Sequence, residues 1–371
     1  MKQVRQAIAS YFKRADWALL LFALLVAGFG LVVIYGASRP LEDPDRYMKI
    51  QTLGIALGSV GFVLASLLDL RRFPKLWIVF FFLNIAFQLS LQFFGKADNT
   101  GNKSWIPLVA GINIQPGEVG KMIFIYTLGS HMNALRDKLN HPFSIIQLAA
   151  HMGLTTVAVF VISKDMGVAL TYPIIFLVML FAGGVNLLWL LAGTGAAGLL
   201  AWPLWNSMSV LQQERILVVF DPTISAAMAW HADQSIDAIQ RGGMYGVGLL
   251  GGKHFVNNHN DFIFSTTCER FGFVGGALLI ALLTLLVFRI FYGAVRSDDL
   301  FGKVLCMGVA GMFMFQILIN IGMCLRIMPV IGLTLPLVSY GGSSVMTTIA
   351  SLGFVAGVRM YRKPQWIRNT E

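Results

Sequence analysis

Charge-poor apolar stretches recur along the chain at residues 17–37, 50–68, 76–95, 119–135, 143–163, 166–182, 187–206, 271–288, 304–325 and 335–358. Each is near the ~20 residues that a helix needs to cross a bilayer core, and together they fill more than half of the sequence. The pattern predicts ten membrane-spanning helices. The fourth stretch carries Lys121, and only Lys164 and Asp165 part the fifth from the sixth. Those two together run to about 40 residues, twice what one crossing takes, and are read as two helices joined by a tight reversal. The first stretch follows Lys2, Arg5, Lys13 and Arg14, as a signal peptide's would. At about 21 residues it exceeds the roughly 7–15 of a signal core, and no clear cleavage site follows, which predicts a retained signal-anchor helix.

Composition narrows the class. Only 12% of residues are charged, 56% are apolar and the mean hydropathy is +0.70, whereas a soluble domain averages about 25% charged. That excludes a secreted enzyme, a soluble Rossmann-type fold, a disordered chain and a coiled coil. The net charge of +10 is scattered in short clusters between apolar stretches, so it reads as a topology signal and not as a nucleic-acid surface. With the N-terminus inside, sixteen basic residues fall in the short inner segments and ten in the longer outer ones, placing both termini in the cytoplasm. The expected fold is an all-α polytopic membrane protein of about ten transmembrane helices. It forms a single domain over 1–371, with one long extracellular loop, 207–262, between the seventh and eighth spans. Residues 216–220 and 244–250 of that loop are apolar and Asp221-Pro222 can open a helix, so the loop is expected to be partly helical and packed on or into the outer membrane surface. Cys268, Cys306 and Cys324 lack the spacing of a zinc site or a disulfide framework.

Ionisable groups at membrane depth mark candidate chemistry. Glu118 and Lys121 share a face at the outer start of the fourth helix, either as a local ion pair or as a polar pair facing a cavity that could hold phosphate. Asp165 sits in the reversal between the fifth and sixth helices. Asp261 closes the long loop immediately before a helix, near His259 and Glu269; a helix-start aspartate can be a simple N-cap or a base at the outer face. Residues 329–344, with two prolines and three glycines, are too broken for a helix and suit a cavity lining, Ser339 and Ser343 included. Gly246-Val247-Gly248-Leu249-Leu250-Gly251 spells GxGxxG without the strand-turn-helix context of a dinucleotide site, and Gly248 to Lys253 fall one residue short of a P-loop. The outer-loop His231, His254 and His259 lack metal-ligand spacing. Pairs Gly54/Gly58, Gly272/Gly276 and Gly353/Gly357 suit close helix packing.

These segments together resemble the SEDS family of shape, elongation, division and sporulation proteins, which includes RodA and FtsW, with a lean toward RodA. Seven ordered matches between residues 101 and 344 carry the resemblance. They are Gly101-Asn102-Lys103-Ser104-Trp105; Gln115-Pro116-Gly117-Glu118 with Lys121; Asp165 to Leu170; and Arg215-Ile216 with Phe220-Asp221-Pro222. Gln234-Ser235 through Gly248 follows, then His259 to Phe264 with Glu269, and finally Asn320 to Met323 with Pro336 to Ser344. Ser104 stands where the family has arginine, Gly117 where it has serine, and Arg241 where it often has serine.

The resemblance implies a peptidoglycan glycosyltransferase that polymerises lipid II, an undecaprenyl-diphosphate-linked disaccharide peptide, on the outer face of the bacterial cytoplasmic membrane. It implies a class B penicillin-binding protein as partner. Carried over by motif, Asp261 is the catalytic base, and Glu118, Lys121 and Asp165 are polar cavity positions. Lys103 or Arg241 is the expected replacement for the missing arginine, with His259, Glu269, Ser339 and Ser343 completing the substrate-binding set. No firm cofactor is expected; a divalent cation, magnesium or manganese, could accompany the diphosphate. A lipid II flippase is the alternative reading, and a scaffold that only recruits the transpeptidase is a third.

Overall fold

Aspartates fix where several of the long helices begin. Asp16 accepts a hydrogen bond from the Leu19 amide, Asp43 from Arg46, Asp165 from Val168 and Asp299 from Gly302, at 3.0 to 3.3 Å. Each satisfies an amide that the first turn leaves orphaned. The computed structural model describes residue 11 and residues 15–72, 75–97, 103–107 and 113–361. The helices are Trp17–Ser38 (α1), Pro44–Leu67 (α2), Leu76–Leu89 (α3) and Leu91–Phe94 (α4). Three short antiparallel strands follow, Lys96–Ala97 (β1), Lys103–Pro107 (β2) and Asn113–Ile114 (β3), in the order β1-β2-β3. Then come Pro116–Ala134 (α5), Pro142–Ser163 (α6), Met166–Ala182 (α7), Leu187–Ser207 (α8), Val210–Leu217 (α9), Ala226–Gly242 (α10), Ile263–Val295 (α11), Leu300–Cys324 (α12) and Gly342–Met360 (α13).

All ten expected spans are present as helices: α1, α2, α3, α5, α6, α7, α8, α11, α12 and α13. Among the described residues, seven are long and apolar enough to cross a membrane on those grounds alone. Of the rest, α7 has 17 residues and α5 carries Glu118, Lys121 and His131. The chain is a multi-pass membrane protein. The long loop holds two helices, α9 and α10, and a short 3-10 turn at Pro222–Ile224 whose start Asp221 caps. The Lys164-Asp165 reversal places Lys164 at φ 53°, a left-handed helix end that turns the chain straight into α7. The terminal basic residues Lys2, Arg5, Lys13, Arg14, Arg362, Lys363 and Arg368, and Gly101-Asn102, lie outside the described residues.

Two glycine pairs do what small residues do in a bilayer, letting backbones touch. A Cβ on Gly54 would meet the Gly342 carbonyl at 2.6 Å, and one on Gly353 would meet that of Phe62 at 2.5 Å, so α2 and α13 pack backbone to backbone. The third expected pair differs. Gly272 breaks α11 at φ 67°, ψ −167° instead of packing it. The groups freed by the break bond to the 243–248 loop: Val247 N donates to Glu269 O (2.9 Å), Gly248 N to Arg270 O (3.1 Å), Phe273 N to Gly243 O (2.9 Å) and Val274 N to Met244 O (3.2 Å). Non-helical backbone within a span is tolerated when its polar groups are satisfied this way. The GxGxxG glycines serve that loop, with Gly246 at φ 84° and Gly248 at φ 92°.

At the far end of α11, buried Asp16 pairs with Arg289 (2.6 Å) and Arg359 (2.7 Å), tying α1, α11 and α13 together. Arg71 pairs with Asp299 at 2.8 Å. These groups sit in segments expected to be cytoplasmic. At the opposite end, α10 is fixed to the bundle by Ser235, whose hydroxyl bonds the Ser265 hydroxyl (2.5 Å) and donates to Cys324 O (2.9 Å).

Candidate active site

The loop from α10 ends in a turn over residues 255–262, and consecutive carbonyls of that turn are each taken by a separate donor. Thr266 Oγ1 donates to Asn258 O (2.6 Å) and the Tyr340 amide to His259 O (2.9 Å). Ser339 Oγ donates to Asn260 O (2.7 Å), and Asn320 Nδ2 to both Asp261 O (2.8 Å) and Leu333 O (2.7 Å). The backbone of Asp261 is thus anchored to α11, α12 and the irregular 325–341 crossing. Its side chain is not used as a cap: Phe262 occupies the N-cap position with no side-chain bond. Among the described residues, nothing donates a hydrogen bond to the half-buried Asp261 carboxylate. Burial pushes its pKa up to about 6, the Asp165 charge adds to the rise, and Arg215 of α9 opposes it.

Asp165 accepts from Gln115 Nε2 at 2.8 Å while it caps α7. Burial raises its pKa, and the Glu118 charge acts in the same direction against the Val168 amide bond. Glu118 and Lys121 are both buried and paired at 2.7 Å, and Ser344 Oγ of α13 donates to the second Glu118 oxygen at 3.3 Å. An ion pair in such surroundings survives only when its remaining lone pairs are also met, and Ser344 meets one. Glu118, Lys121, Asp165 and Asp261 therefore form one electrostatic group at the N-terminal ends of α5, α7 and α11.

Other expected site residues take different posts. Lys103 Nζ reaches the Gln92 carbonyl at 3.3 Å, tying β2 to α4. Arg241 is paired with Glu269 at 2.8 Å, and Glu269 also accepts from the Lys253 amide. That pair fixes α10 and the following loop to α11 and matches the Arg241 charge with Glu269, whereas the bond from Lys103 Nζ goes to a neutral carbonyl. His259 lies between Tyr47 and Tyr340, ring centroids 5.0 and 5.7 Å away; burial pushes its pKa down to about 4, helped by His254, which suits a neutral packing group. Ser339 positions the Asp261 turn and also accepts from the Leu335 amide. Ser343 Oγ is buried with no partner among the described residues.

Sequence reasoning missed Arg215, Gln115, Asn320 and Ser344 as site residues. Each lies inside a quoted motif, but nothing in a one-dimensional pattern says that Asn320 reaches a residue 59 positions away. Among the described residues no group of three or more His, Cys, Asp or Glu side chains converges to hold a metal. Two carboxylates, Asp165 and Asp261, fall short of a cation cage.

The family model for the cell cycle proteins FtsW, RodA and SpoVE matches residues 16–364, so the chain belongs to that family. It is 31% identical over 361 residues to the probable peptidoglycan glycosyltransferase FtsW of Geobacter sp. (strain M18), covering 92% of this chain and 96% of that one. It is also 31% identical over 359 residues to the peptidoglycan glycosyltransferase MrdB of Escherichia coli (strain K12), covering 93% of each. Equal identity to both leaves the RodA lean without support from either side. Among solved structures, a chain of a peptidoglycan synthase complex that coordinates polymerization and crosslinking superposes with a TM-score of 0.79 at 28% identity, covering 94% of this chain and 99% of that one. The rod shape determining protein RodA of Thermus thermophilus gives 0.67 at 26%, covering 95% and 98%.

Proposed function

We propose that the protein is a peptidoglycan glycosyltransferase that polymerises lipid II at the outer face of the bacterial cytoplasmic membrane, with both termini in the cytoplasm. The observation that carries this reading is the Asp261 carboxylate. Its backbone is anchored on both sides, its oxygens take no hydrogen bond from any described residue, and its pKa of about 6 lies where a general base works best near neutral pH. Asp261 takes the proton of an acceptor sugar hydroxyl as that oxygen attacks the anomeric carbon of the donor sugar. The bond from that carbon to the diphosphate oxygen breaks, undecaprenyl diphosphate leaves, and the anomeric configuration inverts. Arg215 and the buried Lys121 set the local potential toward the departing diphosphate. An apolar groove of about 580 Å³ between α10, α11 and α12, lined by Ile239, Phe264, Phe273 and Ile280, offers the kind of surface that a polyprenyl tail requires.

The partner is proposed to be a class B penicillin-binding protein, consistent with the synthase complex among the structural relatives. The test uses purified protein with and without that partner, given labelled lipid II, with products resolved on a gel. A ladder of glycan chains that disappears in Asp261→Asn supports the reading. Movement of lipid II across vesicles with no glycan product would instead support a flippase.

A further inference from the structure

Behind the Glu118–Lys121 pair, three side chains with no part in the reaction converge on the backbone of α5. Tyr172 of α7 donates its hydroxyl to Gly117 O at 2.9 Å. Gln88 of α3 donates to Pro116 O at 3.0 Å and to Asn84 Oδ1 at 3.3 Å, and Asn84 donates to Gly120 O at 3.3 Å. All three are buried, none more than 1% exposed. Glycines allow the approach. A Cβ on Gly120 would stand 2.6 Å from Gln88 Nε2, 2.6 Å from Tyr172 Oη and 2.8 Å from Asn84 Oδ1. One on Gly117, where the family pattern has serine, would stand 2.8 Å from Val168 Cγ1, so the serine is given up and α7 brings Tyr172 closer.

Helix geometry says which residue this clasp holds. The planar peptide joining Gly120 to Lys121 is gripped at both edges. Its oxygen accepts from Asn84. Its N–H, the Lys121 amide, goes to the carbonyl four residues back, that of Gly117, whose second lone pair takes the Tyr172 hydroxyl. The ion pair alone does not fix that peptide: Glu118 and Lys121 stand on one helix, so a rotation of α5 would carry both charges together. Bonds from α3 and α7 oppose the rotation, as polar side chains between spans do. We infer that Tyr172 and Asn84 are positioning residues that fix the peptide from which Lys121 projects, and so hold its ammonium where charge develops on the departing diphosphate. The inference rests on the glycosyltransferase reading and gives neither residue a contact with substrate.

The experiment measures kcat and KM for lipid II, per folded molecule, on the full chain in nanodiscs. Wild type is compared with Tyr172→Phe, Lys121→Arg and the double variant. Tyr172→Phe keeps the ring and removes only the hydroxyl. Its kcat is expected to fall about tenfold, the cost of displacing a charge-stabilising group slightly, with KM within about twofold of wild type. Its melting temperature should stay within about 4 °C of wild type. Lys121→Arg keeps the charge on a longer side chain and already displaces it, so adding Tyr172→Phe there should cost less than about twofold more. Asn84→Leu removes the other grip and is expected to give the same split between kcat and KM, which keeps the role testable if one variant does not fold. A kcat within about twofold of wild type in folded Tyr172→Phe and Asn84→Leu, or the same tenfold loss in the Lys121→Arg background as in wild type, overturns the positioning role and leaves the glycosyltransferase reading standing. A wild type that makes no glycan from lipid II overturns that reading, and this role with it.

Discussion

A carboxylate with a pKa of about 6 is half-way between two roles, and its surroundings decide which one it plays. At Asp261 the rise comes first from burial and then from the Asp165 charge, and the Arg215 charge takes back only part of it. As a base, Asp261 must be ionised, so kcat is expected to fall in proportion to acidity below about pH 6 and to level off above it; a flat profile down to pH 4.5 would remove Asp261 from the role. Replacing Asp261 by Asn should cost about 10²–10⁴ in rate. The same environment predicts a stability effect of the opposite sign. A raised folded-state pKa means that the proton-bound form favours folding. Its contribution is complete below the unfolded value near 4 and is lost as pH rises through about 6. At pH 7.5 Asp261→Asn should therefore melt no lower than wild type in detergent, and a drop of several degrees would contradict this electrostatic account. Asp261 stood out in the sequence through the His259 to Phe264 motif, since position alone makes a helix-entrance aspartate a cap, as Asp16, Asp43, Asp165 and Asp299 are. The cation did not. Ser104 lacks the charge that the family pattern places there, and its hydroxyl bonds Ser163 O at 3.0 Å.

At the scale of elements, runs of apolar residues predicted all ten spans because backbone in lipid has no other way to satisfy its polar groups. Boundaries moved wherever a helix continues beyond the apolar run, as Pro44 to Lys49 do at the start of α2 and Pro116 to Glu118 at the start of α5. The three short strands were not legible, since two to five residues of ordinary composition carry no period. The break in α11 was not legible either: the glycines read as a packing pair, and the loop that satisfies the break is remote in the sequence. Gly272 needs its positive φ, and a Cβ there would strike the Met244 carbonyl. Gly272→Ala is thus expected to lower stability by about 1–3 kcal/mol, read as a lower melting temperature, whereas Gly28→Ala on α1, with nothing within 4 Å of the added carbon, should not. The Glu118–Lys121 pair allows a sharper test. Removing one partner leaves a buried uncompensated charge, and Lys121→Met should cost about 3–5 kcal/mol. The double change Glu118→Gln with Lys121→Met should regain much of that stability without regaining polymerisation. Recovery of both would make the pair a structural device only.

Across the whole molecule, charge is sorted by end. One end gathers Glu118, Asp165 and Asp261 around the buried Lys121, and the opposite end closes on Asp16, held by Arg289 and Arg359. Along α11, which runs from Ile263 to Val295, Asp261 and Arg289 stand 28 positions apart, roughly 40 Å at 1.5 Å per residue, well beyond a Debye length of about 8 Å. The two ends are electrostatically independent, although both depend on the same helix. This division yields a test that distinguishes scaffold from chemistry. Asp16 is buried while its partners are partly exposed, so Asp16→Asn weakens the clasp without stranding a fully buried cation, and a loss of about 1–3 kcal/mol is expected. Melting temperature should fall, while kcat per folded molecule and the acid limb near pH 6 stay within about twofold of wild type, since neither Asp165 nor Arg215 moves. If Asp16→Asn instead shifts the acid limb or abolishes the glycan ladder in protein that is still folded, the ends communicate through α11 and its Gly272 break, and the separation of roles drawn from charge placement fails.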